Sequence, residues 1–419
     1  MIKRLIPVLL ACLLVACSSV RANDSIPEND TIAGNIPFRA AWIASVAGID
    51  WPSPASRGNT IMRMEDMCGI LDSLAELGLN AIIFQVRPTA DALYLSPYEP
   101  ISHWVTGRQG DWNGQLPYDP LRFVIDEAHR RNMDVHVWLN PYRVTQGQMT
   151  RESLAPDHIM RRHPEWFLRY NNQWYFNPGL DSTRRWICTV VADLVRRYDI
   201  QGVHMDDYFY PYPVSGQVFP DEQTFRDYPR GFEDLGDWRR NNTNLVIHEL
   251  HDTIKAIRPE VEFGISPFGV WRNYSEDTLG SHTRALTNYD KLYADIRLWM
   301  QEGWIDYVVP QLYWEIGHRL ADYEHLCHWW AENRFQTKLY IGMAPYRLGR
   351  KGENAAWHNG NEIVRQMHLN RTIPGIEGEI FYSTRPLLRN PRHVCDSIRA
   401  FYLSPDTLSQ DTVAGPEVK

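Results

Sequence analysis

Eight short runs rich in β-branched and aromatic residues recur along this chain, each followed by an amphipathic stretch. The runs lie at 39–46, 80–87, 134–140, 202–207, 262–267, 306–314, 338–344 and 379–383. Between them the apolar residues take helical spacing. Met67, Ile70, Leu71, Leu74 and Leu77 form one face, Ile187, Val190, Val191, Leu194 and Tyr198 a second, and Val246, Leu250, Ile254 and Ile257 a third. Eight strands alternating with eight helices predict an α/β fold of the (β/α)8 TIM-barrel type over residues 37–403, which a 419-residue chain is long enough to build as one unit. No GxGxxG follows an early strand, which argues against a dinucleotide-binding open sheet.

Loop lengths give the barrel a polarity. Links from helix to strand are short (78–79, 132–133, 199–201, 303–305), whereas links from strand to helix are long (88–120, 141–181, 208–234, 268–287). Barrel enzymes build their active sites from the loops at the C-terminal ends of the strands, and that face is the elaborated one here. The long loops carry Tyr94, Tyr98, Trp104, Trp112, Trp166, Trp174, Tyr175, Tyr208, Phe209, Tyr210, Tyr212, Trp271 and Tyr274. Such rings suit stacking against sugars, and long loops also need aromatics to pack themselves down; about half are expected to serve each purpose.

The ends differ in composition from the middle. Lys3 and Arg4 precede an apolar run, 5–16, that is too short to span a bilayer, and Leu14-Val15-Ala16-Cys17 reads as a bacterial lipoprotein signal with Cys17 as the lipidated residue. The alternative is an ordinary cleavable signal. Residues 18–36 then form a flexible tether, and 404–419 a disordered tail. The expected location is periplasmic or cell-surface, with the anchor in a bacterial membrane, the outer one by preference. A formal charge of −8, more negative once Lys3 and Arg4 are removed, argues against nucleic acid as a partner. The chain is expected to act as a monomer. Cys68, Cys188, Cys327 and Cys395 are widely spaced with no CxxC, which disfavours a zinc site. Cys68 and Cys395 fall on the first and last helices, neighbours around a closed barrel, yet free thiols are the expected state.

Alternation along the strands sorts the inward residues. His136, Trp138 and Asn140 face the axis from the third run, His204 and Asp206 from the fourth, Gln85 and Arg87 from the second, and Gln311, Tyr313 and Glu315 from the sixth. A purely structural barrel would place Val, Ile and Leu there, and buried charge is costly unless paired, so these positions predict a site. Gln85 and His136 have a second reading, as supports that hydrogen-bond to their neighbours.

The chemistry is narrowed by what is missing: no G-x-S-x-G elbow, no HExxH and no P-loop occurs. His136, His204 and Asp206 make a conceivable zinc set, but without a specific motif. Adjacent carboxylates fit better. Asp206 and Asp207 sit at the end of the fourth run in QGVHMDDYFYPY (201–212), and Glu315 lies just past the sixth. Glycoside cleavage needs one carboxyl group as proton donor and another as nucleophile or base, and neighbouring carboxylates repel, which raises the pKa of one. Asp207 alone is also readable as a helix or loop cap.

The same stretch, together with QVRPTADALYLS (85–96), VWLNPYR (137–143), Asn177-Pro178-Gly179, ISPFGVWRN (265–273) and DYVVPQLYW (306–314), resembles the glycosyl hydrolase-like 10 family of exported, often lipid-anchored bacterial proteins. The resemblance runs from Phe38 to about Tyr402. It implies a (β/α)8 barrel acting on glycans, with peptidoglycan strands stripped of their peptide stems as substrate and no cofactor. The family's paired aspartates correspond to Asp206 and Asp207, and its other motif residues to Arg87, Asp91, Asn140, Tyr142, Gln311 and Tyr313. The full substrate-binding set is expected to comprise Arg87, Asp91, His136, Trp138, Asn140, Tyr142, His204, Tyr208, Trp271, Arg272, Gln311, Tyr313 and Trp314. Unlike many barrel glycosidases, the chain has no carboxylate at the end of its fifth or seventh run, so the partner acid is expected from the fourth strand itself or from Glu315. Rival readings are a non-catalytic carbohydrate-binding lipoprotein and a metal-dependent hydrolase or polysaccharide deacetylase.

Overall fold

A computed structural model describes residues 37–110, 116–147 and 149–403. The expected leader, lipid-attachment Cys17, tether, tail and Trp112 all lie outside these residues. Eight parallel strands close into a barrel: β1 (Phe38–Ile43), β2 (Ala81–Arg87), β3 (Asp134–Leu139), β6 (Gly202–Met205), β7 (Glu262–Ile265), β8 (Tyr307–Val308), β9 (Lys338–Met343) and β10 (Ile376–Phe381). The barrel closes where β1 pairs with β10. β4 (Phe167–Tyr170) and β5 (Gln173–Phe176) form a separate antiparallel hairpin in the long loop after β3. That hairpin was not expected from the sequence, although Asn171 and Asn172, both at positive φ, supply a turn signal between aromatic runs.

Helices cover the outside. The helix Thr60–Glu76 starts at Asn59, whose side chain accepts the amide of Met62, and buries Met67, Ile70, Leu71 and Leu74. Pro120–His129 starts with proline at its first position behind the cap Asp119, and Leu235–Ile257 starts behind Asp234. Their apolar faces join the outward residues of the strands, such as Val135, Val137 and Val203, in one continuous core. No helix among the described residues is long and apolar enough to cross a membrane. Cys68, Cys188, Cys327 and Cys395 are free thiols.

The barrel interior is filled largely by aromatic and small residues, with only a few branched aliphatics. Trp42, Trp138, Tyr307 and Tyr340 pack there with Ala40, Ala81, Ile83 and Ile380. Glycine makes room for the large rings. A Cβ on Gly264 would lie 2.0 Å from the Tyr307 ring, and one on Gly202 would lie 2.3 Å from Nδ1 of His136.

Two strands end sooner than the sequence runs suggest. The fourth barrel strand stops at Met205, so Asp206 and Asp207 stand just beyond the sheet. The sixth is only Tyr307–Val308, because Pro310 has no N–H for the ladder; Gln311 then makes isolated bridges to Phe268 and Gly342.

Candidate active site

Asp206 and Asp207 occupy the C-terminal mouth of the barrel and are 4% and 3% exposed. Asp206 collects three donors: Asn140 Nδ2 at 2.5 Å and Trp138 Nε1 at 3.2 Å, both on Oδ2, and the Tyr208 amide at 3.2 Å on Oδ1. Burial pushes its carboxyl up to about 6, against the pull of Arg143 and of these donors. Asp207 accepts a short hydrogen bond from the Tyr212 hydroxyl. Burial and the neighbouring Asp206 carboxylate push its carboxyl up further, to about 7. Asp206, lowered by the Arg143 charge, ionises first, and its own charge holds the proton on Asp207.

A chain of side chains sets the geometry of Asp206. Gln85 Oε1 accepts the amides of Ser45 and Val46 at 2.9 and 2.8 Å, which leaves its Nε2 to donate to Asn140 Oδ1 at 2.6 Å. The Asn140 amide is thereby turned with its Nδ2 toward Asp206. The support reading of Gln85 is the one realised.

The histidines lie a layer deeper. An indole N–H only donates, so Nε2 of His204 accepts from Trp42 Nε1 at 3.2 Å and its proton sits on Nδ1. That proton goes to the Tyr307 hydroxyl at 3.0 Å, which donates in turn to Nδ1 of His136 at 2.8 Å. Burial pushes the imidazole of His136 down to about 3 and that of His204 well below its ordinary value, so both stay neutral. Both were expected to bind substrate. They instead form a buried hydrogen-bonded brace inside the strands, His136 three residues and His204 one residue before the strand ends. His136, His204 and Asp206 do not assemble as ligands: no group of three or more His, Cys, Asp or Glu is placed to hold a metal ion among the described residues.

The other expected residues divide between mouth and wall. Gln311 donates to Ser266 O and Oγ at 3.0 and 3.2 Å and stands beside Asp207, favouring its charged form. Tyr313 stacks on Tyr382 at 5.9 Å and meets Tyr346 edge-on at 5.8 Å, in a tyrosine group that senses both aspartates. Tyr208, 37% exposed, packs on Tyr212 at 5.5 Å, and Phe268 links Tyr212 to Trp314. These rings form an open aromatic rim.

Arg87 belongs to the wall. A register shift after Gln85 turns it aside, its guanidinium forms a fork with Glu99 at 2.6 Å on both oxygens, and Nη1 donates to Asn140 O at 2.7 Å. It ties two site loops together and is buried, with four of its five N–H donors engaged by protein groups. Asp91 is engaged by Thr89 and Gln109, Trp271 by Asp295, and Arg272 by Asp277 and Asp290. Tyr142 is buried in the outer core: strand alternation lapses after Leu139, and Arg143 faces the acids in its stead.

Glu315 is held in the mouth's side wall. Asn354 Nδ2 donates to Oε1 at 2.5 Å and Trp357 Nε1 to Oε2 at 3.0 Å, with Arg347 at 3.8 Å. Burial alone would raise its carboxyl, but the donors from Trp357, its own amide and Asn354 outweigh this, so Glu315 stays ionised below its ordinary value.

Arg143, Ser266, Tyr346 and Tyr382 were missed as site residues. Extending the alternation Gly378, Ile380, Tyr382 along the last strand would have found Tyr382. Tyr346 comes from a loop with no such signal.

The mouth therefore offers a protonated acid, an ionised neighbour and flat rings open to solvent, which is the equipment for protonating and cleaving a glycosidic bond. The sequence matches the family described as Glycosyl hydrolase-like 10 over residues 37–359. It is 44% identical over 380 residues to glycosyl hydrolase YngK of Bacillus subtilis, covering 89% of this chain and 73% of that protein. It is 39% identical over 404 residues to glycosyl hydrolase DigH of Escherichia coli K12, covering 90% and 91%. Two solved structures share the fold, each with a TM-score of 0.55. The glycoside hydrolase domain of PgaB (BpsB) from Bordetella bronchiseptica is 11% identical, with 87% of this chain and 98% of that one covered. Alpha-L-fucosidase isoenzyme 2 from Paenibacillus thiaminolyticus is 14% identical; 90% of this chain aligns, spanning about half (51%) of the fucosidase. The chain thus belongs to the glycosyl hydrolase-like 10 family and is a glycosidase on a (β/α)8 barrel.

Proposed function

We propose that this glycosidase cleaves bacterial cell-wall glycan, most readily peptidoglycan strands freed of their peptides, with Asp207 as the proton donor and Asp206 as the ionised partner. The observation that carries the reading is the buried pair itself, whose two carboxyls are raised unequally, to about 6 and about 7. A pair separated in this way keeps one acid and one base at neutral pH. Asn140 and Gln311 supply amides beside the pair, and Tyr208, Tyr212, Phe268 and Trp314 supply the stacking faces that an extended glycan needs. The open rim favours a chain substrate over a single enclosed sugar.

The chain is also proposed to be exported and held at a bacterial membrane by a lipid on Cys17, on the strength of the Lys3, Arg4 and apolar 5–16 pattern. Acylation of Cys17, lost in C17S, is the expected mass-spectrometric finding.

The test of activity is incubation with peptide-free peptidoglycan in heavy-oxygen water. Label in a new reducing end is expected from the wild type and not from D206N or D207N. Equal product release by the wild type and both variants would remove the pair from catalysis, and binding without product would favour the non-catalytic reading.

A further inference from the structure

A second cleft, of about 520 Å³, opens beside the aromatic rim between the loops that follow β7 and β8, and is lined by Tyr274, His282, Arg284, Arg319 and Leu320. Its size is within the roughly 300–1,000 Å³ of ligand pockets. It connects to the acid pair through touching rings: Tyr212 reaches Phe268, Phe268 reaches Trp314 at 5.5 Å, and Trp314 reaches His318, next to Arg319, at 6.4 Å.

The cleft is built, not left over. Buried Asn273 spends its whole amide on holding the 273–285 loop. Its Oδ1 accepts from Thr283 Oγ1 and the Ala285 amide at 2.9 and 3.0 Å, and its Nδ2 donates to Glu276 and Ala285 O at 2.8 and 3.0 Å. The Arg284 amide then donates to Leu320 O at 2.8 Å and ties the two loops together. Tyr274 lies exposed over His282 at 4.2 Å between ring centroids and presents a flat face.

The cleft carries positive charge. The chain is net negative, and many of its arginines are engaged by carboxylates, Arg272 next to this loop among them. Arg284 and Arg319 are exposed and have no carboxylate partner among the described residues. Two unpaired guanidiniums beside an exposed aromatic ring match a sugar ring that carries a carboxylate.

We propose that this cleft is a distal subsite for an acidic sugar, binding the carboxylate of a residue several units along the strand from the bond that is cut. The proposal rests on the cell-wall glycan reading above. In a strand of alternating N-acetylglucosamine and N-acetylmuramic acid, every second residue carries a lactyl carboxylate, so a fixed anionic contact would also set which linkages reach Asp207.

The test compares the wild type with R284Q/R319Q on three probes: a peptide-free peptidoglycan hexasaccharide, the same hexasaccharide with its carboxylates amidated, and the corresponding disaccharide. Both arginines are exposed, so the variant is expected to melt with the wild type. The KM for the acidic hexasaccharide should rise about tenfold with kcat unchanged, while the amidated and short probes should not tell the two proteins apart. A wild-type protein that cleaves the acidic hexasaccharide with the KM of the variant overturns the subsite and leaves the function standing. If the wild type neither cleaves nor binds that glycan, the function and the subsite fall together.

Discussion

Asn140 donates through Nδ2 to Oδ2 of Asp206 at 2.5 Å, and it can do so only because Gln85 occupies its carbonyl oxygen at 2.6 Å. The backbone amides of Ser45 and Val46 fix Gln85 in turn. The first three barrel strands thus cooperate to orient one carboxylate on the fourth.

Removing that donor tests the relay. In N140A the Asp206 carboxylate loses its shortest hydrogen bond, so its pKa should rise and kcat fall by about 10²-fold, the scale of losing one pre-organised contact. Q85A should produce a smaller loss in the same direction. A pH–rate profile whose acid limb does not move in N140A would separate Asn140 from the ionisation of Asp206.

The pair makes activity depend on pH in a defined sense. The rate should fall below about 6 as Asp206 takes up a proton, and above about 7 as Asp207 loses one. Stability should follow the same groups. Both carboxyls are raised above the 3.8 of the free side chain, so the folded protein binds more protons than the unfolded chain between about 4 and 7. Their contribution is fully present below about 4 and is lost as pH rises to about 7. D207N, which cannot ionise, should therefore melt above the wild type at pH 8 and close to it at pH 4. Identical melting differences at the two pH values would contradict this.

Glu315 and Asp207 should respond differently to neutralisation. The donors around Glu315 hold it ionised in the side wall, so E315Q should lower the melting temperature, leave one oxygen's donor unpaired and change kcat by no more than about tenfold. D207N should lose about 10³-fold or more in kcat. A loss in E315Q as large as that in D207N would place Glu315 in the chemistry.

Arg87 is a structural test of the same face. Its partner Glu99 is buried, and truncation in R87A leaves that carboxylate without its fork, at a cost of about 3–5 kcal/mol. Chemical denaturation should show the loss, and replacing both residues by apolar ones should recover part of it.

Much of this was legible in the order of the residues. Repeated βα periodicity, with short links at one end and long ones at the other, determined the barrel and its working face, since a strand–helix alternation has few ways to bury both partners. Alternation within the runs put His136, Trp138, His204 and Asp206 inside, and DD after an apolar approach located the acids. What the sequence could not decide was which buried polar groups would be consumed by one another. Arg87 and Asp91 share a motif with Gln85, yet Arg87 is spent on Glu99 and Asp91 on Gln109. Tyr142 and Arg143 are adjacent, and the end of β3 at Leu139 decided which would face the mouth. Local pattern specifies the side of a strand on which a residue emerges, because that is a property of two bonds. Whether the residue has donors to spare, and whether its carboxyl is raised or lowered, depends on partners dozens to hundreds of positions away that only the closed barrel brings within 3 Å.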